Sequence, residues 1–176
     1  MFTNPRENIM RAGVLEGMHV GDFGTGSGAY ALEAARVVKD YGRVYAIDVQ
    51  KNLLVRLRNT LSDQGIAHVD TLHGDLEMPG GSKIGDGILD FAIASNVFFQ
   101  CMYKTVLLQE IRRTLKPRGR LLLIDWSESF GHLGPHPENV LDSRDARLLC
   151  EQGGFSYRKH IPAGAFHYGI IFEKQA

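Results

Sequence analysis

Four glycines fall within the eight residues from Gly21 to Gly28, in the stretch VGDFGTGSGAYALEAARV, between an apolar run and an amphipathic one. A glycine turn placed so ties a buried strand directly to a helix, because only glycine lets the backbone reverse this tightly and still approach a neighbour closely. The pattern then repeats along the chain. MHVGDF reads as a strand followed by a helix from about Ser27 to Lys39, and VYAIDV (Val44 to Val49) precedes a helix from about Lys51 to Gln64. HVDTLHG (His68 to Gly74) is a third strand, and PGGSKIGDG is a surface loop. ILDFAIAS (Ile88 to Ser95) leads to a helix from about Tyr103 to Leu115, KPRG forms a turn, and RLLLIDW is the next strand.

Strands apolar on both faces and alternating with helices predict an α/β, doubly wound parallel sheet with helices on both faces. The tail departs from this rhythm. After a helix from Ser143 to about Gln152, FSYRKHI and FHYGIIFEK flank PAGA with no room for a helix, so they must pair antiparallel.

The whole chain, 176 residues, has the length of one domain, and residues 1–176 are read as one. Twenty basic residues balance twenty acidic ones, which gives no strong nucleic-acid signal. The cations at Arg112, Arg113, Lys116, Arg118 and Arg120 read as a solvated helix end and turn. Two cysteines without CxxC spacing, no signal-peptide pattern and no run of about 18 apolar residues lead to the expectation of a cytoplasmic protein without a membrane span.

In a doubly wound sheet, ligands bind at the carboxyl ends of the strands, where the winding reverses. Gly24, Gly26 and Gly28 stand there, and their GxGxG register allows a dinucleotide. Asp22 argues otherwise, since a pyrophosphate above it would meet repulsion of about 1–4 kcal/mol. A ligand with an ammonium or sulfonium group would be attracted, and S-adenosylmethionine carries both. Asp48, at the end of the second strand, suits ribose hydroxyls, and Asp75 with Leu76, in HGDLE, suits the adenine edge. Each acid also has an ordinary alternative role, as a helix cap or a turn residue.

VGDFGTGSGAYA, YAIDVQ, HGDLE, LDFAIASNVFF and RTLKPRGRLLLIDW together resemble the ordered motifs of class I S-adenosylmethionine-dependent methyltransferases, most closely the short, quinone-methylase-like members, from about Gly17 to Glu173. The resemblance implies a Rossmann-like seven-stranded sheet in the order 3-2-1-4-5-7-6 with strand 7 antiparallel. It implies cofactor contacts from Asp22, Gly24, Thr25, Gly26, Ser27, Gly28, Asp48, Val49, Asp75, Leu76, Ser95 and Asn96. The function it implies is transfer of a methyl group from S-adenosylmethionine to a small-molecule acceptor by in-line displacement.

Acceptor-side candidates are Phe98, Phe99, Tyr103, Asp125 and Trp126, with His132 and His136 considered as bases and Asp125 and His136 as catalytic candidates. No metal site is expected, because the HLGPH spacing supplies two ligands and no third. Residues 1–16 would form a partial lid around Glu7 to Ala12, or leave an open pocket consistent with a homodimer. An NAD-dependent oxidoreductase and a non-catalytic S-adenosylmethionine-binding module are the alternatives.

Overall fold

The computed structural model describes residues 3–130 and 134–176. Helix α1 (Pro5–Ala12) starts at Asn4, whose side chain accepts from the Glu7 amide, and ends at Gly13 in the left-handed conformation. β1 (His19–Phe23), α2 (Ala29–Val38), β2 (Arg43–Asp48), α3 (Lys51–Asp63) and β3 (Val69–His73) follow in alternation. β4 (Leu89–Ser95), α4 (Lys104–Thr114), β5 (Leu115–Trp126), α5 (Ser143–Gln152), β6 (Phe155–Pro162) and β7 (His167–Lys174) complete the chain. The strands lie in the order β3-β2-β1-β4-β5-β7-β6. All pair in parallel except β7, which is antiparallel to β5 and β6. The order and the terminal hairpin are those expected.

Alternation along the central strands feeds two cores. Leu89, Ala92 and Ala94 of β4 and Leu121 and Leu123 of β5 pack with Leu107, Leu108 and Ile111 of α4 and Ala146 and Cys150 of α5. Phe91, Ile93, Leu122 and Ile124 face the other way, onto Ala31, Ala34, Ala35 and Val38 of α2 and Ile9 and Ala12 of α1. The alanine face of α2 lets that helix sit close to the sheet. Among the described residues no helix is long and apolar enough to cross a membrane.

Most boundaries move by a residue or two, as helix and strand ends do. KPRG is a larger correction. It lies within β5, not in a turn before it. The β4–β5 register passes from Leu89↔Leu115 to Phe91↔Arg120, two steps on β4 against five on β5, so these residues bulge from the strand. Leu115 is already buried and paired, and a bulge accommodates the missing N–H of Pro117. Arg118 adopts φ 62° at its crest.

The loop between β3 and β4 is pinned by a buried acid of α4. Glu110 of α4 accepts from the Gly80 amide (3.0 Å), the Ser82 amide (3.0 Å) and the Ser82 hydroxyl (2.5 Å), and pairs with Arg113 at 2.7 Å. Burial opposes its ionisation, but the hydrogen bonds from Arg113 and Ser82 prevail and hold its carboxyl down at about 2. Because this is below the ordinary value of 4.5, its stabilisation is complete above that value and is lost as pH falls towards 2. Glu110→Gln is therefore expected to cost on the order of 2 kcal/mol at pH 7, and less at pH 3. Urea unfolding of both proteins at the two pH values checks this, and an equal gap at both would count against the ionised cluster.

Candidate functional site

The carboxyl ends of β1 to β4 enclose a cavity of about 320 Å³, within the range of small-molecule sites. The glycine loop is lashed to β2, with the amides of Gly24 and Thr25 both donating to the Ile47 carbonyl at 2.9 Å. Asp48 completes the fastening. Its Oδ2 accepts from the Gly26 amide (2.8 Å) and its Oδ1 from the Gln50 amide (2.8 Å), so one carboxylate joins the loop to the start of α3. Each oxygen keeps a further lone pair for an external donor.

Two glycines of the loop differ in purpose. Gly28 has φ 83°, and a Cβ there would lie 2.4 Å from Leu57 Cδ1, so it exists for packing against α3. Gly26 has φ 54° and nothing within 4 Å of a Cβ position, although it lines the cavity. A side chain at Gly26 would occupy ligand space without striking protein.

Gly24, Gly26, Asp48, Val49, Asp75, Leu76 and Asn96, all expected, line the cavity. Val49 stands exposed beside it while Leu76 is buried, so two apolar walls differ in solvent access. Asp75 uses Oδ1 to accept from the Glu77 amide (2.9 Å). Asn96 has φ 57°, its amide donates to the Ile124 carbonyl, and its Oδ1 is buried without a partner.

Asp22, Thr25, Ser27, Gly28 and Ser95 do not line this cavity. Asp22 lies beneath the loop, 2% exposed, and accepts from the Thr25 hydroxyl at 2.6 Å. Burial pushes its carboxyl up to about 6, against the lowering pull of Thr25. Ser27 is exposed, and Ser95 ends β4 immediately before Asn96.

Gln50, Gly74, Glu77, Val97, Gln100 and Cys101 also line the cavity and were not anticipated. Gln100 and Cys101 arrive through a short 3-10 turn, Phe98–Gln100, that follows β4. Burial pushes the Cys101 thiol up to about 12, with Glu77 adding to the shift.

On the acceptor side the structure revises several expectations. Phe98 is fully buried in the core rather than in a pocket wall. Tyr103 is exposed at the start of α4, its amide donating to Glu77. Asp125 is fully buried and accepts from the amides of Phe99 (3.1 Å) and Trp126 (2.9 Å), and burial pushes its carboxyl up to about 6.

Trp126 lies 4.4 Å from the His167 ring, a contact set by their pairing across β5 and β7. His136 is exposed beside Glu138, and His132 lies outside the described residues. Among the described residues no group of three His, Cys, Asp or Glu side chains could hold a metal ion. Helix α1 contributes nothing to the cavity wall. It packs on the sheet, with Asn8 Nδ2 donating to the Tyr30 hydroxyl (2.9 Å) and the Ala163 carbonyl (3.2 Å).

Comparison with known proteins places these features. Residues 21–123 match the family model described as "Methyltransferase domain". The chain is 30% identical over 133 residues to the ubiquinone/menaquinone biosynthesis C-methyltransferase UbiE of Paraburkholderia phytofirmans, covering 76% of this chain and 51% of that protein. It is also 30% identical over 152 residues to the UbiE of Vibrio campbellii, covering 84% and 55%. The chain thus spans about half the length of these curated relatives. A crystal structure of a SAM dependent methyltransferase from Aquifex aeolicus superposes with a TM-score of 0.87 at 28% identity, covering 98% of this chain and 90% of that one.

Proposed function

Because this chain belongs to the methyltransferase domain family of S-adenosylmethionine-dependent enzymes, we propose that residues 1–176 act as one domain that methylates a small-molecule acceptor, with the cavity beside the glycine loop holding the donor. The observation that carries this reading is the cavity wall itself. Gly26, Asp48 and Asp75 meet there from the ends of three successive strands, around open space that a side chain at Gly26 would fill. The nicotinamide alternative falls away with the family.

The donor supplies an electrophilic methyl on a positively charged sulfur that is already a good leaving group. The protein therefore has to bind, orient and exclude water. Asp48 accepts from the ribose hydroxyls while keeping the loop fastened. Asp75 and the Leu76 amide read the adenine edge, and Val49 and Leu76 bury its ring. Asp22 acts from below as the counter-charge to the cationic end, and the unpartnered Asn96 Oδ1 accepts from an ammonium group. Asp125 is a positioning residue, since the hydrogen bond it accepts from the Phe99 amide holds the turn that brings Gln100 and Cys101 to the cavity. The likeness to relatives named as C-methyltransferases favours a carbon acceptor. Two free cysteines, Cys101 and Cys150, suit a reducing cytoplasmic setting.

Calorimetry with S-adenosylhomocysteine and with NAD, followed by labelled methyl transfer into a small-molecule library, tests the reading. Saturable binding of the first alone, with a labelled product, is expected. Failure to bind S-adenosylhomocysteine would overturn the donor site. Binding without any labelled product would leave a non-catalytic module.

A further inference from the structure

The cations around the start of β5 do not form one patch. Arg113 pairs with Glu110 and Asp86, and Lys116 pairs with Asp90. Arg118 and Arg120 instead meet Arg158 and Lys159 of β6 around a separate cavity of about 360 Å³, which Ile171 and Glu173 of β7 also line. The sheet builds this grouping, since Arg120 lies opposite Glu173 and Lys159 opposite Ile171 across β7. Nothing in the local sequence joins β5 to β6. Only the insertion of β7 between them does.

Charge there is unbalanced. Glu173 is the one carboxylate in the wall, and its Oε1 is shared between Arg158 Nη2 (2.6 Å) and Arg118 Nε (3.6 Å). The Arg120 side chain has neither an ion pair nor a hydrogen bond among the described residues. Lys159 donates one N–H to the Arg11 carbonyl and keeps two. Four cations against one carboxylate repel one another, in a chain whose formal net charge is zero. Arg118 is also held at φ 62° by the bulge in β5, a left-handed backbone that an arginine does not favour. An anion entering the cavity would offset the repulsion among the four cations.

We propose that this cavity binds a small phosphoryl anion, of the diphosphate or phosphate-ester class. Three guanidinium groups supply paired N–H donors that match phosphoryl oxygens, and a multiply charged anion answers the local excess. Arg118 and Arg120 stand in the first half of β5, whereas the glycine-loop cavity lies at the carboxyl ends of the parallel strands. The two sites can therefore be filled together, and this proposal does not depend on the donor assignment.

Titration of the intact protein with inorganic diphosphate at low ionic strength tests it. One saturable site per chain is expected, weakened at least about tenfold in the Arg120→Gln, Arg158→Gln double variant. The variant should keep the wild-type far-ultraviolet circular dichroism and a cooperative urea transition, which reports that it is folded. Absence of saturable binding to the wild-type protein, or equal binding by the variant, would overturn the site. Competition by sulfate as strong as by diphosphate at matched ionic strength would reduce it to general screening and overturn it as well. A single-stranded oligonucleotide that displaces diphosphate at equal phosphate concentration would overturn the small ligand in favour of a nucleic-acid surface.

Discussion

Replacing Asp48 by alanine is expected to weaken S-adenosylhomocysteine binding by about 3 kcal/mol, on the order of a hundredfold. Two losses combine. The carboxylate is the partner of the Gly26 and Gln50 amides, so its removal leaves two donors at the cavity wall without acceptors and frees the loop from the start of α3. It also removes the acceptor assigned to the ribose hydroxyls. Asp48→Asn separates the two. An amide keeps one acceptor for the loop but offers a ribose only one oxygen, so an intermediate loss is expected. Calorimetry on the three proteins decides. An alanine variant weakened less than about threefold would mean that the loop holds itself and that the ribose lies elsewhere.

How much of this site could be read in advance depended on what fixes each residue. Asp48 ends a strand whose apolar run is plain in the sequence and Asp75 follows the next strand by two residues, and strand ends in a doubly wound sheet share one edge. Their convergence was therefore legible. Gln50, Glu77, Gln100 and Cys101 come from the turns after those strands, where side-chain direction depends on backbone detail. The left-handed Asn96 and the hydrogen bond from the Phe99 amide to Asp125 steer the chain after β4, and neither leaves a periodic trace.

Distant pairing hides more. Trp126 meets His167, and Arg120 faces Glu173, only because β7 lies antiparallel beside β5. Glu110 shows the opposite difficulty. Its spacing from Leu107, Ile111 and Thr114 puts it on the packed side of α4, but the groups that satisfy its charge become evident only when the loop carrying Gly80 and Ser82 folds over it. Phe98 and Asp125 were assigned to the acceptor for their chemistry and position, yet both are enclosed. Aromatic and acidic side chains at a strand end serve packing and turn fastening as readily as catalysis.

The second large effect concerns Asp22, where stability and binding should respond in opposite directions. Burial raises its carboxyl to about 6 from an ordinary 3.8, so in the free protein its ionisation opposes folding. The stability it contributes is full below the ordinary value and is lost as pH rises through 6. Asp22→Asn is accordingly expected to stabilise the free protein at pH 7 by about 1–2 kcal/mol. The same change removes the negative charge assigned to the donor's cationic end, and affinity for S-adenosylhomocysteine, which keeps the ammonium group, should fall by about 2–3 kcal/mol.

A pH series makes the test sharper. A bound cation favours the ionised acid, so wild-type affinity should be greatest near pH 7, where the ligand's ammonium is still charged, and decline by up to about tenfold per unit below 6. The Asn variant should show no such slope. Asp125 titrates in the same window, and Asp48 and Tyr30 also lie in the field of Asp22. The slope lost on substitution, rather than the slope itself, is thus the diagnostic quantity. A variant that binds less tightly but keeps the full wild-type pH dependence would assign the titration to Asp125 and remove the counter-charge role from Asp22.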